Sequence, residues 1–337
     1  MAANPITRPG QINGAGADDA LFQRQFAGEV LTSFHQTNQF MPLHRVRTLS
    51  NAKSATFPVT GTASAKYHTL GESVYGTDDG QVTTYLNSIL SKEREIWVDD
   101  PLIAPVFVGS IEEMKNNYDH RSIYSTELGV ALADQADANI LSTIFAAASA
   151  LPDFNPMTLA EKVVTTYTDA RVGSQIAAFA FQMKALFNQR NIPKEGRILA
   201  LRPTGYSALA QLTDLVNKDY TSSPGDYNKN EIMTVAGFRV VESNSFGSTD
   251  LSASTGTGVR NAPWTTNARG YYTDWTQCGA LAFQTSAVGT VKMKELGIEQ
   301  ERSIERRGHL IIADYVMGHN ILRPECAALM EVTAGQF

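Results

Sequence analysis

"SAKYHTLGESVYGTDDGQVTTYL", residues 64–86, decides how the rest of the chain is read. Extended runs flank it, and it carries almost nothing that could build a core of its own. Before it, "KSATFPVTG" places Ala55, Phe57 and Val59 on one face of a strand. Pro58 removes a ladder donor, which favours a sheet edge. After it, "VTTYLNSILSKEREIWV" returns as a second extended run, and glycines at 61, 71, 76 and 80 punctuate the excursion. Two arms of about 15 residues at roughly 3.3 Å each would reach about 50 Å. An isolated two-stranded ribbon is only marginally stable in water, and its open edges invite pairing. The excursion therefore either folds back over its own domain or lies on another molecule, and the pattern by itself allows both.

The remaining chain has ample means to fold. Of its 337 residues, 43% are hydrophobic and 18% charged, a globular balance that excludes wholesale disorder and supplies a sizeable core. With 34 acidic against 28 basic residues the net charge is −6, and no basic stripe marks a surface that grips phosphate. Neither a signal-peptide pattern at Met1 nor an 18-residue apolar run appears, so the expectation is synthesis in the cytoplasm without membrane partners. Cys278 and Cys326 read as small buried apolar residues in a reducing compartment.

Along the chain, residues 1–18 read as a flexible arm and Ala20–Phe34 as an amphipathic helix capped by Asp18 or Asp19. Ser110 and Glu113 form a capping box. A long helix is expected from Asp119 to Ala148, where Tyr124, Leu128, Leu132, Ala136, Ile140 and Ile144 recur every fourth residue. On a 3.6-residue helix that stripe drifts by about 40° per step and winds around the rod. A rod of about 45 Å serves either as a scaffold element or as a long helix in an ordinary core. "GSQIAAFAFQMKALFNQRNIP" gives a further helix with Ile176, Phe179, Met183 and Phe187 on one side. "GRILALR" and "GFRVVES" read as strands, and Thr204–Leu212 as a short helix. Residues 244–270 are rich in Ser, Gly, Thr and Asn and read as a surface loop. The C-terminal 60 or so residues are β-rich, with a phase change in "VGTVKMKELGIEQE" that a bulge near Glu295 would produce. The class is α+β.

Motifs of catalysis are missing. There is no GxSxG, HExxH, CxxC or phosphate loop. "GAGADD", "GTGVRN" and "TDDG" read as turns, and the six histidines show no metal-site spacing. "SIERRGH" gathers Arg302, Arg306, Arg307 and His309 among glutamates, which suits a solvated or intersubunit salt-bridge strand. No cofactor is expected.

Several stretches together resemble the major capsid proteins of short-tailed bacteriophages of the T7 group. They are "ALFQRQFAGEVLTSF", "HRVRTLSNAKSATFPVTG", "GES", "YDHRSIYSTELGVALADQAD", "SAVGTVKMKEL" and "YVMGHNILRPECAA". The resemblance runs over most of residues 20–335 and is weakest at 1–18, 150–172 and 244–270. It implies the HK97-like capsid fold, divided into an N-terminal arm (1–52), an extended loop (53–98) and a peripheral domain (99–172) whose spine helix spans about 119–148. An axial domain (173–288) and a return to the peripheral domain (289–337) complete it. On that mapping the excursion is the loop tip and finds its packing partner on the next subunit. The resemblance further implies self-assembly of hexamers and pentamers into an icosahedral virion head around packaged double-stranded DNA. A scaffolding protein and a portal would be partners, and a decoration protein is a further candidate. No lysine–asparagine cross-link pair is identifiable, so shell stability would rest on noncovalent contacts. Subunit-interface candidates are Phe57, His68, Glu72, Tyr75, Tyr85, Arg302, Arg306 and Arg307. Competing readings are a cellular nanocompartment shell of the same fold, an enzyme with a dispersed site, and a fibre or adhesin subunit.

Overall fold

A computed structural model describes residues 39–61, 63–71, 74, 77–78, 81–82, 85, 89, 91–109, 120–150, 164–212, 234–247, 271 and 273–333. The expected helix Ala20–Phe34, the capping box Ser110/Glu113 and most of the loop at 244–270 lie outside these residues.

A 3₁₀ turn, Met41–Leu43, leads into β1 (Arg45–Thr48) and β2 (Ser54–Thr60), followed by the short pair β3 (Thr77–Asp78) and β4 (Gln81–Val82). Next come β5 (Ser91–Trp97) and β6 (Leu102–Gly109), the long helix α1 (His120–Ser149), β7 (Val164–Tyr167) and α2 (Gly173–Gln189). Then follow β8 (Arg197–Leu201), α3 (Pro203–Ala210), β9 (Thr234–Val235) and β10 (Phe238–Glu242). The chain ends with β11 (Cys278–Gln284), β12 (Val288–Ser303), β13 (Gly308–Ile321) and β14 (Ala327–Val332).

These strands make two main sheets. One has the order β1-β12-β13-β6, the other β7-β14-β11-β8-β10-β9. In the second, β8 and β11 are buried at every position, so both faces are covered. The C-terminal strands do not all close one sheet: β12 and β13 join β6, but β14 pairs with β11 and β7 in the other sheet. Its composition explains this. "AALMEV" is apolar on both faces and suits a strand covered on two sides, whereas β12 alternates along much of its length. The bulge in β12 begins slightly earlier than expected, with register shifts at Lys292–Lys294 and Lys294–Gly297. Val291 is buried, Met293 is thrown outward, and Leu296 and Ile298 return to the packed face.

Helix α1 joins the two sheets. In its first half Leu128, Leu132, Ala133 and Ala136 pack with Ile311, Ala313, Tyr315 and Met317 of β13. In its second half Ile140, Leu141, Ile144, Ala147 and Ala148 enter the main core together with β8, β11 and β14. The winding stripe is what lets one helix pack against both sheets along its length. Helix α2 buries Ile176, Phe179, Met183 and Phe187 in the same core, as its periodicity requires.

Strands β2 and β5 form a separate two-stranded ribbon in the register Ser54↔Trp97 to Thr60↔Ser91. Pro58 sits in it opposite Glu93, at an edge as its missing N–H demands. Ala55 and Ile96 anchor the ribbon base against Val291 and Leu322. The base crosses β13 so closely that a Cβ on Gly318 would lie 1.9 Å from the Trp97 carbonyl oxygen. Asp99 N–H donates to the Met317 carbonyl (3.3 Å) beside it. Gly318→Ala must therefore push the ribbon off the sheet. A loss of about 3 kcal/mol is expected, read as a drop of several degrees in the thermal midpoint. An unchanged midpoint would contradict the crossing.

Candidate assembly surfaces

Past Thr60 and Ser91 the ribbon leaves the body. Residues 63–70 are exposed, with Tyr67 at 102% and Leu70 at 100% relative exposure. Two large apolar side chains held wholly in water cost stability unless something covers them. Among the candidate residues here, the His68 and Tyr85 rings sit 5.0 Å apart, and Thr69 N–H donates to the Tyr85 hydroxyl at 3.5 Å. Phe57 is turned inward instead. It packs at the ribbon base, with the Arg47 guanidinium 5.8 Å from its ring. Glu72 and Tyr75 lie outside the described residues.

A second exposed feature is the tip of the β12–β13 hairpin. Arg302, opposite His309 in the ladder, is exposed together with Arg306 and Arg307, and Ile304 stands between them at 86% exposure. The loop and the tip are far apart in sequence, and the fold leaves both outside the core.

A third surface escaped the sequence reading. Along β6, Ile103, Pro105 and Phe107 point outward while Leu102, Ala104, Val106 and Val108 pack toward α1. Register sets Phe107 beside Leu310 and Pro105 beside Ile312, with Glu301 and Glu299 one strand further on. The outcome is an apolar strip bordered by Glu301 and by Glu299, the latter paired with Lys294 at 3.3 Å. Only the alternation in "LIAPVFVG" hinted at it, and that run reads equally well as a buried strand.

Cys278 and Cys326 are free, buried thiols, and burial pushes both up to about 12. Arg202 donates to the carbonyls of Cys278 and Trp275, and Arg197 to those of Pro193 and Ile192, so these buried cations hold loops together. No metal-holding cluster of His, Cys, Asp or Glu occurs among the described residues. No described helix is long and apolar enough to cross a membrane.

A spine helix shared by two sheets, with a ribbon projecting from the body, defines a shell subunit of the HK97-like fold. The bacteriophage PhiM1 mature capsid subunit shares that fold with a TM-score of 0.68 at 18% identity, over 88% of this chain and 87% of that one. The cyanophage P-SCSP1u capsid chain superposes with a TM-score of 0.73 at 32% identity, over 99% of this chain and 100% of that one. The major capsid protein of Escherichia phage T7 is 32% identical over 329 residues, 94% of this chain and 93% of that protein. The Gp10A-like major capsid protein model matches residues 56–331, and the chain belongs to that family of phage virion proteins.

Proposed function

We propose that this chain builds the closed icosahedral head of a short-tailed phage from hexamers and pentamers, around packaged double-stranded DNA. The observation that carries the reading is the full exposure of Tyr67 and Leu70 on a ribbon that, among the described residues, packs its base against the body. In the proposed lattice the loop of one subunit lies over the neighbour's β6 strip. Tyr67 and Leu70 would cover Ile103, Pro105 and Phe107, and Lys66 would approach the margin of Glu299 and Glu301. His68, Glu72, Tyr75 and Tyr85 belong to that contact, with Phe57 bracing its base. Arg302, Arg306 and Arg307 form a second contact where hairpin tips meet, using acidic groups of adjoining copies.

On this reading the arm comprises residues 1–52, the extended loop 53–98, the peripheral domain 99–172 with 289–337, and the axial domain 173–288. Strand β14 is the part of the return that crosses into the axial sheet. The role is structural, with no catalysis. A net charge of −6 suits a lining that must release its DNA, since weak contact with phosphate hinders neither packaging nor ejection. A scaffolding protein and a portal would act during assembly, and a decoration protein could bind outside. Likeness to a phage major capsid protein along nearly the whole chain favours a genome container over a nanocompartment.

Electron microscopy of the purified full-length chain, alone and co-expressed with the scaffolding protein from the same phage, tests the proposal. Uniform closed particles in either preparation support it. A chain that stays monomeric under both conditions at high concentration overturns it.

A further inference from the structure

The segment from Gln39 to His44 is held on both sides by titratable groups that the assembly surfaces do not use. On its amide side, Asp137 of α1 accepts from Gln39 N–H at 2.9 Å and Phe40 N–H at 3.2 Å. On its carbonyl side, His44 Nδ1 meets the Phe40 carbonyl oxygen at 2.8 Å, and its Nε2 meets Thr290 Oγ1 at 2.5 Å. Thr290 Oγ1 in turn meets His319 Nδ1 at 2.7 Å. Between the two grips, the Phe40 side chain is wholly buried in the main core.

With both rings neutral, donor and acceptor counting leaves one arrangement. A carbonyl oxygen only accepts, so His44 carries its proton on Nδ1. Neutral Nε2 then accepts, and the Thr290 hydroxyl must donate to it. Thr290 Oγ1 is left to accept from His319 Nδ1–H. Both rings are neutral, and every bond in the chain is satisfied. A proton on His44 Nε2 breaks this order. Thr290 must turn its hydrogen toward His319 Nδ1, which must first give up its own. A proton on each ring is worse: two N–H groups face one hydroxyl oxygen, and the hydroxyl hydrogen has no acceptor between them.

We propose that residues 39–44 form an acid-released latch, in which protonation of the His44–Thr290–His319 bridge frees the segment and unseats Phe40 while the two sheets remain folded. The surroundings agree. Burial is the main cause that holds His44 down to about 4 and His319 to about 3. The Phe40 carbonyl, which accepts from Nδ1, favours protonated His44 and offsets part of this; Lys292 of β12 adds repulsion to both rings, and His44 adds it to His319. Tyr271 reaches His319 from the other side. Its hydroxyl accepts from the His319 backbone N–H at 3.0 Å and donates to Asp99, while burial pushes its own ionisation well above the ordinary tyrosine range. On the α1 side Asp137 is raised to about 6, chiefly by burial, with Asp134 adding to the rise and the two N–H donors opposing it. Tyr315 of β13 lies in Asp137's field.

The signs follow from linkage. Folded histidine values below the ordinary 6.5 give stability that is present above 6.5 and is lost as pH falls toward 4 and 3. Asp137 acts oppositely: its contribution is complete below 3.8 and is lost as pH rises through about 6. Acid therefore loosens the histidine grip, while the Asp137 grip, complete in acid, works against release.

Hydrogen exchange on the full-length unassembled chain, expressed as protection relative to the unfolded peptide at each pH, tests the latch. Between pH 7 and pH 4 the amides of Phe40 and Leu43 should lose at least tenfold in protection, while those of β8 and β11 keep theirs. In the variant His44→Asn with His319→Asn, whose amides replace the Nδ1–H donors without titrating, the loss should shrink below threefold. Segment and sheets losing protection together in the unaltered chain, or the same loss in the variant, overturns the latch. Histidine-selective NMR of the unaltered chain provides a measurement that needs no substitution. Two rings neutral at pH 5 with the proton on Nδ1 support the latch. Either ring titrating between 6 and 7 overturns it.

Discussion

Joining Gly61 to Leu90 through a two-residue Asn-Gly turn is expected to yield a folded, soluble chain that forms no shells. The ribbon base survives this change. Thr60 pairs with Ser91, so a short turn closes the hairpin without disturbing Ala55 and Ile96 against Val291 and Leu322. The thermal midpoint of the monomer should move by no more than a few degrees. What disappears is the exposed reach that carries Tyr67 and Leu70. Covering two such side chains is worth about 3–6 kcal/mol. At 1.4 kcal/mol per decade, that is roughly 10²- to 10⁴-fold in each subunit contact. A closed lattice repeats the loss at every position, so the concentration needed for assembly rises beyond reach. Sedimentation and electron microscopy read the outcome directly. Particles of normal size from the trimmed chain would show that the loop is not what binds neighbours.

The second large effect lies inside the subunit. Leu132→Asp should abolish folding. Leu132 is 2% exposed, packed in the cluster that seats α1 on β13. The side chains of that cluster are apolar apart from the Tyr315 hydroxyl, so a carboxylate placed there meets no cation among them. An unpaired buried charge costs several kcal/mol even after it protonates, a large share of the roughly 5–15 kcal/mol that holds a domain together. Because α1 joins both sheets, its detachment leaves neither with a complete core. Val130→Asp, two residues away on the outward side at 38% exposure, should be tolerated within about 1 kcal/mol. Circular dichroism of the soluble fractions separates the two. Native helix content in Leu132→Asp would mean that this face of α1 is not buried.

The contrast between those positions was legible in the sequence, because helical spacing is a local property. Leu128, Leu132, Ile140 and Ile144 announce their burial through their mutual distance along the chain. The same holds for the face of α2, for the ribbon flanking residues 64–86, and for the phase change in β12. Tyr124 marks where the rule stops. It continues the stripe by spacing yet is 38% exposed, because the winding stripe has turned away from the sheet there.

Other features depend on which strands meet. "LIAPVFVG" alternates faintly, and only its place at the edge beside β13 turns Ile103, Pro105 and Phe107 outward. The return of β14 to the second sheet could not be read from its order in the chain, since pairing is chosen by burial on two faces and not by proximity in sequence.

From the sequence alone came the α+β class, the long helix with its apolar stripe, the polar excursion without a core, and the resemblance to phage capsid proteins. The tertiary structure alone decided the company that individual polar groups keep. His44 and Thr290 stand 246 positions apart, and Phe40 and Asp137 stand 97 apart. Periodicity reports which way a side chain faces within its own element. It carries no information about which distant donor or acceptor will occupy that face, because the choice is made when whole elements pack and every buried polar group must find a partner.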